Sequence, residues 1–148
     1  MMLNESYMTE RVGIMKKIVC AMLCILLVFS LLACGKNDNE VTTHHVESEM
    51  YSEEEISDAI NVIKKEFESD WKGCTLTEIY YAGDEISKDH QDWADRNDAD
   101  EVIVLLSSFS VDSSCEIGAL NKNSTYSDWM WILVRTNGGK WQHVDHGY

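Results

Sequence analysis

The stretch that decides the fold is residues 101–111, which read EVIVLLSSFSV. Branched and aromatic residues of this kind favour a β-strand. The first half of the stretch is apolar at every position, so other parts of the chain must cover both faces of the strand. We therefore expect a central strand of a sheet that is packed on both sides.

Three further segments have strand character. Residues 74–81 (CTLTEIYY) predict a strand before the central one, and residues 129–136 (WMWILVRT) predict a second central strand. Residues 137–139 (NGG) are a hairpin turn signal, after which residues 141–148 predict the last strand. The segment 112–128 has no period and is rich in Ser and Asn, so it predicts a long loop, where we expect contacts with a partner.

An amphipathic helix precedes these strands. Ser52 and Glu55 form the capping-box pattern of a helix start, and Gly73 is typical of a helix end. Between them, apolar residues recur on one helical face: Ile56, Ala59, Ile60, Ile63, Phe67 and Trp71. A short, more polar helix is predicted over residues 86–97. This order predicts an α+β fold, with one long helix packed on an antiparallel sheet of about four strands, plus one short helix.

Three segments of the chain carry a resemblance: residues 73–81 (GCTLTEIYY), 99–107 (ADEVIVLLS) and 123–135 (NSTYSDWMWILVR). They resemble small uncharacterised lipoproteins of Gram-positive bacteria, which in turn resemble domains with the nuclear-transport-factor-2-like fold. The resemblance implies a curved, cone-shaped sheet, although a cystatin-like arrangement of one helix on a sheet fits nearly as well. It brings no catalytic residues, because this fold hosts enzymes, binding modules and scaffolds alike.

The N-terminal segment predicts where the protein is located. Residues 16–17 are lysines, residues 18–33 are an apolar run, and residues 31–35 read LLACG. This pattern is typical of a secretory signal peptide and resembles the lipobox of bacterial lipoproteins. The resemblance implies cleavage before Cys34 and a diacylglycerol thioether on its sulfur. A transmembrane helix is the alternative, but the run is shorter than the ~20 residues needed to span a bilayer.

We therefore predict three parts of the chain. Residues 1–33 are a signal peptide, in which residues 1–14 look like an extension upstream of a better start at Met15. Residues 34–50 are a lipid-anchored, disordered tether, and residues 51–148 are a single α+β domain. The predicted location is the extracytoplasmic face of the cell membrane, where the diacylglycerol on Cys34 is the membrane contact.

The charge of the chain limits its partners. Its formal net charge is −14, and residues 34–148 alone hold nine basic and 24 acidic side chains. This charge argues against a nucleic-acid partner, since phosphates need a basic surface. The acidic side chains of residues 92–101 lack the loop spacing of a calcium site and predict only a solvated face. We expect no cofactor, and a protein or a small molecule of unknown identity as partner.

The five cysteines sort by position. Cys20 and Cys24 lie in the signal peptide, and Cys34 is the predicted lipidation site. Cys74 and Cys115 remain in the domain, where an extracytoplasmic pair predicts either a disulfide or two free thiols. No CxxC or paired-histidine spacing accompanies them, so no metal site is predicted.

Two sets of residues are candidate site residues. His143 and Asp145 are two apart on the last strand, so period two places them on one face as a general base and its orienting carboxylate. No nucleophile motif accompanies them. The second set is three tryptophans: Trp129, Trp131 and Trp141. They form either an aromatic platform for a sugar ring, a peptide or an apolar ligand, or part of the core. We expect two of the three to be core residues, because large aromatic side chains dominate the cores of small domains.

The function that these patterns favour is a membrane-tethered, non-enzymatic binding module. It would use the open face of the sheet and the loop 112–128. One alternative is a small cone-fold enzyme, of isomerase or hydrolase type, that uses His143 and Asp145. A purely structural envelope lipoprotein is the other.

Overall fold

The computed structural model describes residues 41–148; the predicted signal peptide, Cys34 and the first part of the predicted tether lie outside the described residues. The elements follow the order α1 (Glu53–Ser69), β1 (Cys74–Tyr81), α2 (Asp84–Asp89), α3 (Gln91–Arg96), β2 (Glu101–Val111), β3 (Ser124–Arg135) and β4 (Gln142–Gly147). The strands form one antiparallel sheet in the order β1-β2-β3-β4. The chain therefore has the α+β architecture and the four-stranded antiparallel sheet that the sequence predicts.

Helix α1 begins with a complete capping box. The backbone N–H of Glu55 donates to Ser52 Oγ over 3.3 Å, and the backbone N–H of Ser52 donates to Glu55 Oε2 over 2.8 Å. These bonds satisfy N–H groups that have no partner within the helix. The helix ends at Ser69, earlier than Gly73, but Trp71 beyond its end is still buried.

Two elements differ from the sequence prediction. The single short helix predicted over residues 86–97 is two helices, α2 and α3, which meet at His90. Strand β3 starts at Ser124 rather than at Trp129, because its polar first half pairs with the second half of β2. Backbone hydrogen bonds to β2 hold this part of the strand in place, and such bonds leave no apolar pattern in the sequence. In residues 41–148 no helix is long and apolar enough to cross a membrane.

The sheet is covered on both faces, as the apolar strand β2 requires. On one face, the buried side of α1 packs against Ile103, Leu105 and Trp131, among others. On the other face, Ala94 of α3 packs against Val102, Ile132 and Val134 in a smaller cluster. The alternation of β2 thus divides its apolar residues between two cores.

Each pair of neighbouring strands has one break in register. The breaks lie between Leu76 and Glu78 in β1, between Ser107 and Phe109 in β2, and between Ile132 and Leu133 in β3. The strand with the extra residue is β1 at the first break, β3 at the second and β4 at the third, as in a β-bulge. Residues three apart on the bulged strand then lie on the same face of the sheet, where period two would place them on opposite faces.

Residues 41–50 are not free of the domain, although the sequence analysis assigns them to a disordered tether. Thr42 forms a parallel bridge with Glu78: its N–H donates to Thr77 O, and its carbonyl accepts from the N–H of Ile79, both over 2.9 Å. Val41 and Val46 pack against the main core. The expectation of disorder is corrected for this stretch. Its backbone covers the outer edge of β1, the edge that no other strand of residues 41–148 pairs with.

Arg135, at the end of β3, is a buried cation with several partners. Its side chain is only 7% exposed. It donates to Glu55 of α1 over 2.5 Å and, through Nε, to Glu101 of β2 over 2.9 Å. The same group lies 4.3 Å from the ring centre of Trp141 and 5.7 Å from that of Tyr51. One buried cation thereby joins a helix, two strands and two aromatic rings.

We predict that Arg135→Met lowers the free energy of unfolding by about 3 kcal/mol, because it leaves two carboxylates facing each other without their cation. The matched control is Arg96→Met, which removes an exposed pair with Asp92 and a cation–π contact with Trp93 on α3 and should cost about 1 kcal/mol or less. Urea unfolding followed by tryptophan fluorescence measures both. Equal losses in the two variants would contradict the role given to Arg135.

The carboxyl of Glu55 makes stability depend on acid. Hydrogen bonds from the Ser52 backbone, from Arg135 and from the Ser52 hydroxyl lower its pKa from 4.5 to about 2. A pKa that is lower in the folded chain stabilises the fold above pH 4.5, and this contribution is lost as the pH falls towards 2. We expect Glu55→Gln, which keeps the capping pattern, to remove this dependence, while Glu54→Gln keeps it. Urea midpoints between neutral and acid pH test this; parallel curves for wild type and Glu55→Gln would contradict it.

Candidate functional site

The break in register between β3 and β4 decides which side chains of the last strand meet. Leu133 pairs with His143, Ile132 with Asp145 and Trp131 with His146, so Val144 is the extra residue. His143 and His146 therefore lie on the face that α1 covers, and Asp145 lies on the opposite face. The predicted pairing of the His143 and Asp145 side chains is wrong, because period two does not hold across a bulge.

His143 takes its carboxylate partner from α1 instead. Its Nδ1 lies 2.8 Å from Glu66 Oε2. Its Nε2 lies 3.0 Å from the backbone oxygen of Asp145 and 3.3 Å from His146 Nδ1. The two imidazole rings stack with their centres 5.2 Å apart. Glu66, His143 and His146 thus form a connected polar chain beside the aromatic residues of the sheet.

Two of the three candidate tryptophans are core residues. Trp131 is fully buried, and its indole N–H donates to Ser107 Oγ over 2.8 Å. Trp141 is buried at the opposite end of β4, where its N–H donates to the backbone oxygen of Glu55 over 3.0 Å. Only Trp129 is partly exposed. The three therefore do not form one platform, and Trp129 alone is placed to meet a ligand.

Trp129 belongs to a group of rings that we name the aromatic–histidine surface: Tyr126, Trp129, His146 and Tyr148. The ring centre of Trp129 lies 5.4 Å from Tyr126, 6.0 Å from His146 and 5.1 Å from Tyr148. Tyr126 and Tyr148 stack at 6.3 Å. Tyr148 is 81% exposed. Aromatic faces of this kind take up flat apolar groups of a ligand.

Buried rings hold this surface in place. Phe109 stacks on Tyr126 at 5.1 Å, and Trp71 lies 6.3 Å from Trp129 and 5.2 Å from His146. The indole N–H of Trp129 is enclosed and has no hydrogen-bond partner, alone in this respect among the buried side-chain polar atoms of residues 41–148. An unsatisfied buried donor is rare in native proteins. The domain's own groups therefore leave the Trp129 N–H unsatisfied.

The segment between β2 and β3 is a packed loop. It is shorter than predicted, and it buries Cys115 and Leu120 in the main core. The N–H of Asn121 donates to the hydroxyl of Tyr126 over 2.9 Å, which ties the loop to the aromatic–histidine surface. Cys74 lies at the start of β1, beside this loop. The loop is therefore packed on the core and joined to the aromatic–histidine surface through Tyr126, and partner contacts at this loop stay a prediction.

The clefts of the domain lie elsewhere. One of about 610 Å³ lies between residues 45–49 and the start of α1, and one of about 700 Å³ lies between α1 and the β3–β4 hairpin, where it reaches Arg135 and Trp141. Both are open grooves: the first is lined by polar, acidic and apolar side chains, and the second by six charged side chains together with Asn61, Val62, Trp141 and the hairpin glycines. In the described part of the chain, no three or more His, Cys, Asp or Glu side chains are placed to hold a metal ion.

Sequence reasoning missed Glu66, Tyr126 and Tyr148. Glu66 is far from His143 along the chain, and no local pattern links them. Tyr126 lies three residues before Trp129, a spacing that predicts opposite faces of a strand until the bulge at Ser127 and Asp128 is known. The left-handed φ of Asp128, 55°, is the backbone feature that allows it. Tyr148 carried one available signal, an aromatic residue at the end of a polar strand.

Comparison of the chain with protein-family models, curated proteins and solved structures finds no match. The fold and the site together describe an α+β domain with an aromatic surface at one end of its sheet. Any function assigned to it depends on the residues of this chain.

The imidazole of His146 should report the polar chain directly. Burial and repulsion from His143 lower its pKa below 6.5, while Glu66 and Asp145 oppose the shift. A lowered histidine pKa means that the contribution of this group to stability is present above pH 6.5 and is lost as the pH falls below it. We predict that His143→Gln raises the His146 midpoint, because it removes the repulsion, and that Glu66→Gln lowers it further, because it removes an attraction. NMR titration of the ring nitrogens measures both; shifts in the same direction would contradict this arrangement.

Proposed function

We propose that this protein is a lipid-anchored, extracytoplasmic binding domain that works without catalysis. The lipobox-like residues 31–35, with Cys34 as the lipidated residue, support the anchor and the location. A helix on one face of a four-stranded sheet also supports the proposed kinship with nuclear-transport-factor-2-like or cystatin-like domains. The aromatic–histidine surface is the proposed ligand site.

The observation that carries the proposal is the exposure of Tyr148 beside Trp129. Tyr148 is 81% exposed, and its ring lies beside the partly buried rings of Trp129 and Tyr126, which in turn contact the buried rings of Trp71 and Phe109. Binding is strongest where aromatic anchors are already held in their bound position, because less conformational entropy is lost. A ligand that covers Tyr148 would bury this ring, and one that moves it aside would offer the Trp129 N–H an acceptor.

The charge of the chain indicates the class of ligand. With nine basic and 24 acidic side chains in residues 34–148, the domain repels anions at long range. The surface itself consists of neutral rings and one histidine of lowered pKa. The ligand is therefore a neutral or cationic group with a flat apolar face, such as a sugar ring or the side chains of a peptide.

Acid–base catalysis is less well supported. The carboxylate beside His143 is Glu66, since Asp145 lies on the other face. Both ring nitrogens of His143 are already within hydrogen-bonding distance of the protein's own groups. A general base needs a free nitrogen within reach of a substrate proton. The polar chain accordingly orients the rings of the surface, and we place the function in binding.

Site-specific photo-cross-linking in the exporting host tests the proposal with a ligand that is still unidentified. A benzophenone amino acid replaces Tyr148, and in a matched control it replaces Asp95, an exposed residue of α3 beneath the other face of the sheet. We expect one adduct mass at position 148 and none at position 95. Trp129→Ala in the same chain should abolish the adduct at 148 while the protein stays at wild-type abundance.

Equal labelling at the two positions, or no adduct at 148 in cells that contain the protein, would overturn the proposed site. An adduct that persists in the Trp129→Ala variant would place the ligand outside the aromatic–histidine surface. Tandem mass spectrometry of the adduct distinguishes a sugar from a peptide, since the two fragment differently.

A further inference from the structure

Two sulfur atoms lie in contact at the end of the sheet opposite to Arg135. Cys74 Sγ and Cys115 Sγ are 3.7 Å apart, and both are free thiols in this structure. The residues are 41 positions apart in the chain, so only the tertiary fold brings them together. A disulfide bond is about 2.05 Å long, so the two sulfurs must approach each other by about 1.7 Å to be joined.

The backbone holds the two cysteines in this position. The N–H of Asp112 donates to Gly73 O over 2.9 Å, which extends the β1–β2 ladder up to Cys74. The carboxylate of Asp112 then accepts from the N–H of Ser114 over 2.6 Å, in a turn that leads the chain back to Cys115.

Gly73 makes the close approach possible. Its φ is +79°, and a Cβ at this position would lie 2.5 Å from the backbone N and Cα of Cys115. Any other residue would therefore both strain the backbone and push the turn away. The close approach of the two cysteine residues is therefore set by the main chain, while their side-chain rotamers set the distance between the sulfurs.

We infer that Cys74 and Cys115 are joined by a disulfide in the exported protein, and that the bond forms before the turn at residues 112–115 closes over Cys115. The compartment in which the bond persists depends on the proposed extracytoplasmic location. The pairing itself depends only on the contact between the two sulfurs.

The chemistry is thiol–disulfide exchange with an external disulfide, either a small molecule or an oxidoreductase. The thiolate of one cysteine attacks the external disulfide and releases one external thiol. The second cysteine, after loss of its proton, attacks the mixed disulfide and releases the other external thiol. Two protein thiols are oxidised, and one external disulfide is reduced.

Burial explains the order of events. Cys115 is 1% exposed, so an external disulfide cannot reach its sulfur in the folded chain. Burial and the neighbouring Cys115 also raise the pKa of Cys74 to about 12, so its thiolate is scarce near neutral pH. Exchange needs an accessible thiolate. The folded, reduced protein should therefore oxidise slowly, while the open chain oxidises quickly.

The first measurement is made on the protein purified in detergent from the membrane of its exporting host. Thiols are blocked with iodoacetamide before trypsin cleavage, without reduction. Cleavage after Lys72, Lys88, Arg96 and Lys122 gives residues 73–88 and 97–122, each with one cysteine. We expect these two peptides to be found linked and unalkylated, and to separate after reduction.

The second measurement is made in vitro and does not depend on location. The same protein is reduced, unfolded, and refolded in oxidised glutathione; in parallel, the reduced protein is first refolded and then given oxidised glutathione. We expect the 73–88 and 97–122 link in the first case, and at least ten-fold slower formation in the second. Cys74→Ser is the control, in which Cys115 reacts with a maleimide only after unfolding.

The outcomes separate the two proposals. No link on refolding would overturn the pairing, and equal rates in the two arms would overturn the order of events. A link on refolding together with alkylated cysteines in the protein from the host would show that the pair can form but is not joined in the exported protein; it would overturn this inference and leave the proposed ligand site untouched.

Discussion

The fold depends on a buried cation. The guanidinium of Arg135 is held by Glu55 and Glu101 and lies against the ring of Trp141. A buried charge is tolerated only when it is paired, so these partners must arrive together. They come from the start of α1, the start of β2 and the start of the last hairpin strand. One electrostatic requirement thus sets the position of the helix on the sheet and brings the two ends of the domain's chain together.

The breaks in register have a second, independent effect at the opposite end of the sheet. The bulge in β3 places Tyr126 and Trp129 on one face, and the bulge in β4 does the same for His143 and His146. Regular strands would have directed half of these rings to the other face. The aromatic–histidine surface therefore results from two irregular residues in neighbouring strands, and bulges are a common means of re-aiming side chains at functional sites.

The arginine node and the aromatic–histidine surface explain how one small domain separates stability from binding. At the arginine node the guanidinium of Arg135 is paired with Glu55 and Glu101, and the neighbouring rings are buried. Around Trp129 an indole donor has no partner, and Tyr148 is exposed. The contact between Cys74 and Cys115 lies beneath this second region, where the loop after β2 turns back into the core. A covalent link there would hold the loop that supports the surface.

The sequence by itself determined the element types, because periodicity and caps are local: the capping box at Ser52, the apolar strand β2 and the hairpin at residues 137–139 are all where the residues place them. The α+β class followed from their order. Only the tertiary structure decided which residues meet. After the bulges at Asp128 and Val144, side chains lie on the face of the sheet opposite to the one that period two predicts. Glu66 of α1 contacts His143 of β4 where the helix packs on the sheet. The signals for these features are non-local hydrogen bonds and packing, which no period along the chain records.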